Sequence, residues 1–432
     1  MATDTPAVKA SGFRKWLPFP EIPSLRNRNY RLWWISSVIE SLNQFTTQMV
    51  LAWWGKVELD SPLLVGTIVL AFGIPAALFL FPAGLLADKW DRKKQLILAQ
   101  SIAVLAAFGL AIMMTFDLAT FWIGCAFAFV LGSTVAFTNP ARQSLIPMLV
   151  PRRLLLNAIV LGSLSMNTSR LIAPGISGFL MFAIGVNAAL FFIGSWLFVG
   201  IFSLLAIRIP VQSELNPEPE GQPAPKKPER EGVFTMLGGG LVFLWQTKPL
   251  MVLMLLYMAT GLFITGPALT LVPIYVDDFW NAGSRELGLI WSAQAATSMI
   301  MGFYLSRLGA LKNKGGWFAV SMIGGGGSFA LYSISPEWFI GIIFFATFGI
   351  AAALYGGMSQ TVLQTHTPRS VMGRVLSLNQ LSIQGLMPLG AFIAGALAEF
   401  VSAQIVGFAG GILGFTMALL ALIFAKKFRN LS

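Results

Sequence analysis

The sequence predicts an all-α membrane protein with twelve transmembrane helices in two pseudo-symmetric six-helix bundles. Of its 432 residues, 56% are hydrophobic and only 11% are charged, which favours the bilayer over water as the solvent. Apolar runs of about 17 to 25 residues, the length that crosses a bilayer as a helix, recur along the chain. They are continuous rather than alternating, so strands are not indicated.

The apolar runs form two sets of six. They cover residues 32–54, 62–87, 95–114, 119–139, 157–184 and 188–207, and then 250–273, 286–306, 317–335, 338–358, 374–399 and 404–425. Between the sets, a Pro- and Glu-rich stretch predicts a flexible linker followed by an interfacial helix. The predicted parts are a cytoplasmic tail (1–31), an N-terminal bundle (32–208), a linker with the interfacial helix (209–248), a C-terminal bundle (249–425) and a cytoplasmic tail (426–432).

Two pairs of similar segments indicate an internal duplication. Gly84–Asp88 matches Gly302–Ser306, and Gln143–Pro151 matches Gln360–Pro368, with the same spacing between the halves to within one position. The alternative is that short Gly/Arg and Pro/Arg patterns recur by chance in loops. Parallel six-helix repeats with a site at the midplane between them are a known plan for transporters.

The positive charges are distributed unevenly among the loops. The net charge is +11, and 26 of the 29 Lys and Arg residues, all but Lys56, Arg170 and Arg285, fall before the first span or on connections that share one side. By the positive-inside rule that side is the cytoplasm, where both termini would lie. The basic charge thus reflects topology and does not indicate nucleic acid as a partner.

The sequence contains no sign of a metal site, a cofactor or an enzyme active site. Cys125 is the only cysteine and His366 the only histidine, so a His/Cys zinc site is out of reach. A proton shuttle is one interpretation of His366, but an ordinary loop histidine is the favoured one. There is no G-x-x-x-x-G-K-S/T loop for nucleotide binding and no cluster of a nucleophile and a base.

The segment GLLADKWDRKK, at the end of the second span, contains Gly84, Asp88, Lys89 and Arg92. Glycine permits close helix packing, and the basic residues suit the membrane surface, where they could serve topology alone. The segment resembles the loop signature G-x-L-A-D-R-x-G-R-R/K of the major facilitator superfamily, with Lys89 in place of an Arg and Asp91 in place of a Gly. The resemblance implies that these residues form a conformational gate between the halves.

A second segment, RLIAPGISG, lies in the fifth span and contains Pro174 and Gly178. Proline kinks the helix, and small residues allow tight packing, which alone would explain the pattern. It is similar to the antiporter motif G-P-x-x-G-G of exporters in this superfamily, with Ala173 and Ser177 in place of glycines. Pro174 and Gly178 are therefore also expected to act in the conformational change.

Outside the linker and the extreme N-terminus, nearly the whole chain most resembles the drug-proton antiporter branch that includes macrolide exporters and enterobactin-type siderophore exporters. The resemblance implies a monomeric exporter of amphipathic small molecules in the bacterial inner membrane, driven by proton influx. Two alternatives stay open: a symporter, facilitator or lipid-like substrate carrier of the same fold, and a transport-inactive scaffold subunit. The expected partners are a small-molecule substrate, protons and lipid.

Five polar residues follow one another at helical spacing in the first span: Glu40, Asn43, Gln44, Thr47 and Gln48. This spacing places them on one face of a helix, which we expect to look into protein or water rather than lipid. Glu40 is the candidate carboxylate for proton coupling or substrate contact, because an ionisable group within a span usually serves a function.

Arg170 is the other ionisable residue placed deep within a predicted span, at a depth comparable to that of Glu40. It is a candidate anion contact or a partner of Glu40. A permanent Glu40–Arg170 ion pair would instead only stabilise the bundle, because it would lower the carboxylate pKa and prevent its titration. Proton coupling therefore requires that such a pair be absent or broken in one state.

Family geometry would place the first, fourth, seventh and tenth spans around the central cavity. Aromatic cavities suit bulky amphipathic solutes, although ordinary helix packing is the favoured explanation for any single ring. The candidate cavity-lining residues are Phe127, Phe129, Tyr257, Phe263, Phe344, Phe348 and Tyr355.

Overall fold

The computed structural model describes residues 23–210, 233–308, 311–368 and 371–431, and within these ranges it contains helices and no strands. Residues 1–22 of the predicted tail (1–31) and residues 211–232 of the predicted linker lie outside the described residues. Six helices are long and apolar enough to cross a membrane by length and composition. Two shorter ones, Pro62–Leu78 and Met387–Phe400, are also apolar.

In the N-terminal half, residues 23–210, a 3-10 helix at Pro23–Arg26 precedes seven α-helices. These are α1 (Arg28–Leu59), α2 (Pro62–Leu78), α3 (Leu80–Lys89), α4 (Arg92–Thr115), α5 (Phe121–Leu145), α6 (Arg152–Ile184) and α7 (Val186–Leu205).

The described part of the C-terminal half, from residue 233 onward, is also built of helices. These are α8 (Val233–Gln246), α9 (Lys248–Phe279), α10 (Ser284–Leu308), α11 (Lys314–Ser333), α12 (Trp338–His366), α13 (Met372–Leu381), α14 (Met387–Phe400), α15 (Ala403–Phe424) and the short α16 (Lys426–Arg429).

Prolines interrupt three of the predicted spans. The second span breaks between α2 and α3 because Pro82 has no N–H for the carbonyl of Leu78 and its ring crowds that turn. The seventh span contains a π turn at Gly261–Thr265, just before Pro267. A similar π turn, Ser382–Leu386, separates α13 from α14 just before Pro388. A widened turn accommodates the proline ring without ending the helix.

The helices run between two ends of the molecule, which we name after a residue at each. At the Arg92 end, the Nζ of Lys93 donates a hydrogen bond to the carbonyl of Ile207 at 2.8 Å, just beyond α7. At the Lys56 end, the last turn of α1 lies against the end of α9, with 2.7 Å between the Lys56 Nζ and an Asp278 carboxylate oxygen.

Part of the helix packing is similar in the two halves. α11, which starts at Lys314, contacts α12 and α15, much as α4 contacts α5 and α7. Within the N-terminal half, α1 packs on α6 and α7, and α5 packs on α2 and α4. Within the C-terminal half, α11 packs on α12 and α15, and α10 packs on α12.

The two halves meet along a seam of two helix pairs, α6 with α10 and α2 with α14. In the first pair, Gly178 faces the backbone of Gly288 so closely that a Cβ atom on Gly178 would clash with it. In the second pair, the ring of Pro388 occupies the space where Gly73 has no side chain. The Ser61 hydroxyl also donates to Glu399 across this pair, at 2.8 Å. Small residues thus let the backbones of the two halves touch toward the Lys56 end.

We predict that Gly178→Ala opens the seam. The added methyl group would require α6 and α10 to move apart by roughly 1 Å or more to reach ordinary van der Waals separation. In a Cys125→Ser background, a cysteine at Ala391, which is buried against Val65 and Val69 of α2, should then react several-fold faster with a maleimide added at the Lys56 end. Gly302→Ala on α10 is the matched control, because a Cβ there meets nothing within 4 Å. An unchanged reaction rate for Gly178→Ala would contradict this packing.

Candidate functional site

The polar face of α1 lies inside the protein. Asn43, Thr47 and Gln48 are buried, and the side chain of Glu40 is 12% exposed. The Nδ2 of Asn43 donates a hydrogen bond to the carbonyl of Ile193 on α7 at 3.0 Å. The position of this face agrees with its predicted orientation away from lipid.

Glu40 forms an ion pair with Arg142 of α5, and not with Arg170. The Nε2 of Gln100 on α4 donates to the same Glu40 oxygen at 2.9 Å, and Arg142 donates to the hydroxyl of Ser37 at 2.7 Å. Three helices of the N-terminal half therefore hold one buried network. Its ionic partners both belong to that half, so a relative movement of the halves does not by itself separate them.

The placement of Arg142 in a cytoplasmic loop was wrong. The fourth span was predicted to end at residue 139, before Pro140, but α5 continues through Pro140 to Leu145. A proline within a membrane helix is tolerated where neighbouring helices satisfy the freed backbone groups. The continued helix keeps Arg142 in the protein interior, where only 10% of its side chain is exposed.

Arg170 lies in α6 and faces the other half of the protein. Its guanidinium contacts the sulfur of Met387 on α14 at 3.4 Å, and its side chain is exposed to the space between the halves. It also lies close enough to Tyr257 and Tyr355 to interact with them electrostatically. The Glu40–Arg170 ion pair, which the sequence left open, is not the pairing that this structure has for Glu40. Similar depth along two helices does not fix the direction in which their side chains point.

Tyr257 of α9 and Tyr355 of α12 form a stacked pair beside Arg170. Their ring centroids are 4.9 Å apart and the planes differ by 4°. The Tyr355 hydroxyl donates to the Tyr257 carbonyl at 3.4 Å, and Phe318 stacks on the other side of Tyr355, with centroids 5.2 Å apart. Two of the seven predicted cavity residues therefore come together at one place.

The other five predicted cavity residues are spread over the molecule. Phe348 is buried against Phe345 in an aromatic cluster of the core, which corrects its assignment to the cavity. Phe263 and Phe344 pack against the core, as does Phe127, and Phe129 lies edge-on to Phe79.

A small cavity adjoins the polar face of α1. The volume open to the centre of a water-sized molecule is about 20 Å³. This cavity has room for one or two waters but not for a bulky solute. Phe72 is the one aromatic residue that lines this cavity, and none of the seven predicted cavity residues lines it. It is lined by Glu40, Asn43, Gln44, Thr47, Phe72, Ala99, Gln100, Ala103, Leu131, Thr134, Val135, Thr138 and Leu197.

The predicted gate segment lies at the Arg92 end, at the end of α3 and the start of α4. The side chains of Asp88 and Lys89 lie outside the described part, and a Cβ atom on Gly84 would meet nothing within 4 Å. The Nε of Arg92 donates to the Ser144 hydroxyl at 3.0 Å. Arg92 therefore contacts α5 of its own half in this state. Of the other predicted gate residues, Pro174 lies within α6, one turn before Gly178 at the seam.

An ion cluster at the Lys56 end, which was not predicted from the sequence, joins the two halves. The buried Nζ of Lys56 lies 3.3 Å from Asp277 and 2.7 Å from Asp278, both at the end of α9, and also pairs with Asp60. Lys56 holds the pKa of the Asp60 carboxyl below its usual value. The Lys56–Asp60 pair therefore stabilises the folded protein at neutral pH, and this stabilisation is lost as the pH falls through the lowered pKa of Asp60. The signal in the sequence was Lys56 itself, a basic residue on the predicted side of the membrane that has few basic residues.

Comparisons with known proteins agree with a transporter. Residues 20–430 match a major facilitator family model described as "Transmembrane secretion effector". The enterobactin exporter EntS of Shigella boydii serotype 4 (strain Sb227) is 26% identical over 383 residues, which is 85% of this chain and 85% of that protein. EntS of Escherichia coli O81 (strain ED1a) is 26% identical over 367 residues, 81% of each chain.

Solved structures with the same fold are also transporters. The nucleoside transporter NupG superposes with a TM-score of 0.66 at 13% identity, over 92% of this chain and 99% of that one. A bacterial homologue of the human lysosomal transporter Spinster, in an inward-facing and unoccupied conformation, gives a TM-score of 0.64 at 15% identity, over 94% of this chain and 96% of that one.

We predict that Glu40 and Arg142 depend on each other for stability. Removing one partner of a buried ion pair leaves the other charge uncompensated, which typically costs about 3–5 kcal/mol. Glu40→Gln and Arg142→Gln should each lower the melting temperature of the purified protein, and the double variant should recover much of the loss. Losses that simply add in the double variant would show that the two side chains do not interact.

Proposed function

Because the chain belongs to the transmembrane secretion effectors of the major facilitator superfamily, we propose that it exports amphipathic small molecules by alternating access, coupled to proton influx. The observation that carries this proposal is the arrangement of the two halves, which touch along glycine-lined helices toward one end. Export is supported by the relatives, which are named for the export of enterobactin. Amphipathic drugs and siderophore-like metabolites are the substrate classes to test.

The proposed architecture is twelve spans in two six-helix bundles, residues 32–208 and 249–425, joined by the linker at 209–248. The similar helix packing in the two halves, with α11 against α12 and α15 much as α4 lies against α5 and α7, supports it. The uneven distribution of Lys and Arg supports a cytoplasmic Arg92 end with both chain termini in the cytoplasm. The similarity to bacterial exporters supports a location in the bacterial inner membrane. The Lys56 end would then face outward.

With this orientation, contact of the halves toward the Lys56 end supports a state open toward the cytoplasm. The seam joins the halves from the Lys56 end to about the level of Gly73, which lies 11 residues, or about 17 Å, beyond the start of α2 at Pro62. Opening outward requires α6 to separate from α10, α2 from α14, and Lys56 from Asp277 and Asp278. Closure of the Arg92 end would then bring the gate segment of α3 and α4 to the C-terminal half.

Glu40 is the proposed coupling carboxylate, and its pairing with Arg142 sets a condition on this role. A paired carboxylate resists protonation, so the ion pair must break during the transport cycle. Movement of the halves cannot break it directly, because both residues belong to the N-terminal half. A local change next to the cavity, such as a shift of α5 relative to α1, is therefore part of the proposal.

Inverted membrane vesicles with an acidified lumen test transport and direction together. An exporter driven by proton influx should accumulate enterobactin or an amphipathic drug in the lumen, and Glu40→Gln should reduce this accumulation to the level of vesicles without the protein. Glu58→Gln is the matched control, an exposed acid on the same helix. Loss of substrate from the lumen would instead indicate symport. Equilibration of substrate across the membrane without a response to pH would indicate a facilitator, and no transport of any compound would favour a scaffold. Full pH-driven transport by Glu40→Gln would exclude Glu40 as the coupling residue.

A further inference from the structure

We propose that the transported substrate is an organic anion whose charged group is bound by Arg170, with Tyr257 and Tyr355 beside it. This inference rests on the proposed transport function and adds the charge of the substrate and the place where it binds. It follows from the balance of charges inside the described part of the protein, from the position of Arg170 and from its neighbours.

The described interior contains one unbalanced positive charge. Glu40 and Arg142 neutralise each other within the N-terminal half. Among the described residues, no carboxylate lies within 4 Å of Arg170, whose polar contact is the weakly accepting sulfur of Met387. An unpaired charge in the middle of a span costs about 2.5–3.5 kcal/mol on insertion scales, so it is retained where it has a function. A guanidinium that meets no protein carboxylate suits an anionic ligand.

Arg170 lies next to the seam, on its Arg92 side. On the same helix, Gly175 and Gly178 follow at about 8 and 12 Å along the axis and contact α10. Across the gap, Met387 directly precedes Pro388, the residue that packs into the space beside Gly73. The guanidinium therefore lies where the space between the halves narrows to the seam.

The neighbours of Arg170 belong to the opposite half. Tyr257, Tyr355 and Met387 lie on α9, α12 and α14, so the side chain points between the halves and not toward lipid. An anion bound here would contact both halves at once. A ligand must interact differently with two states in order to shift their equilibrium, and a site divided between moving parts meets that requirement.

The two tyrosines add a hydrogen-bond donor and an aromatic surface to the positive charge. Both residues are partly exposed, and Phe318 stacks on Tyr355. The Tyr355 O–H already donates to the Tyr257 carbonyl, whereas the Tyr257 O–H can donate to a carboxylate or phenolate oxygen while the rings pack against an apolar body. This combination suits an amphipathic anion with an aromatic or aliphatic part. A cationic substrate has no comparable partner in the described interior, since Glu40 is already paired beside a cavity sized for water.

Three naphthalene derivatives of similar shape test the charge preference in the purified full-length protein. These are 2-naphthoate, 2-naphthamide and 2-naphthamidine, which are anionic, neutral and cationic, and their binding is measured by equilibrium dialysis. We expect naphthoate to bind at least tenfold more tightly than the amide, and the amidine to bind most weakly. Arg170→Gln should abolish the preference for naphthoate without changing amide binding, whereas Arg170→Lys should retain it.

Matched variants separate this role from an effect on folding or overall charge. Arg307→Gln also removes one arginine, but an exposed one that stacks on Phe303, and should keep the anion preference. Tyr257→Phe should weaken naphthoate binding a few-fold and leave the amide unaffected. Equal binding of all three compounds, tighter binding of the amidine, or an unchanged preference in Arg170→Gln would each overturn the site.

The vesicle assay distinguishes failure of this site from failure of the transport proposal. Arg170-dependent anion binding without pH-driven transport of any compound would overturn the transport function and keep the site. Transport of cations and anions alike, with no effect of Arg170→Gln, would overturn the site and keep the transport function.

Discussion

Backbone contact between α6 and α10 is the interaction on which the rest of this structure depends. Gly178 and Gly288 allow it, and the contact of Gly73 with Pro388 provides its counterpart between α2 and α14. Without a strong hydrophobic force between helices in a membrane, close packing of small residues is a main source of association. Such contacts form over their full length or separate, which suits two alternative arrangements of rigid halves. The ion cluster around Lys56 stabilises the same end.

The way in which the interior charges are paired follows from the free-energy cost of placing a charged group in a low-dielectric environment. Glu40 and Arg142 meet this cost by pairing within one half, and Lys56 meets it by pairing with three carboxylates at the end of the helices. Arg170 differs, because its neighbours across the gap are aromatic rings and a thioether. One half thus contains a self-compensated pair, while the positive charge without a carboxylate lies between the halves. This division separates proton coupling from substrate binding in the proposed cycle.

Several features were predictable from the sequence because they depend on local spacing. The polar face of α1 follows from residues three and four apart on one helix, and the tight packing near Gly178 follows from small residues around Pro174. The pairing of Glu40 was not predictable. Depth along a span gives no rotational position, and Pro140 looked like a helix end although α5 continues through it to Arg142.

The aromatic residues and the acids of α9 show a second limit. Phe344 and Phe348 lie one turn apart in a helix that is apolar on most sides, so the pattern does not tell core from cavity. Along α9, the π turn at Gly261–Thr265 changes which residues share a face, and the helix continues to Phe279, past the predicted end at residue 273. Asp277 and Asp278 therefore lie within a helical turn, facing a lysine that belongs to the first helix of the other half.

The most direct test of this account is a pair of spin-label distances between the halves, one near each end, in the full-length protein in lipid. One pair joins α2 to α14 near the Lys56 end, and the other joins α4 to α13 near the Arg92 end. When the pH is changed or substrate is added, the account predicts that one distance lengthens as the other shortens. Two distances that stay constant, or that lengthen and shorten together, would contradict movement of the halves about this seam.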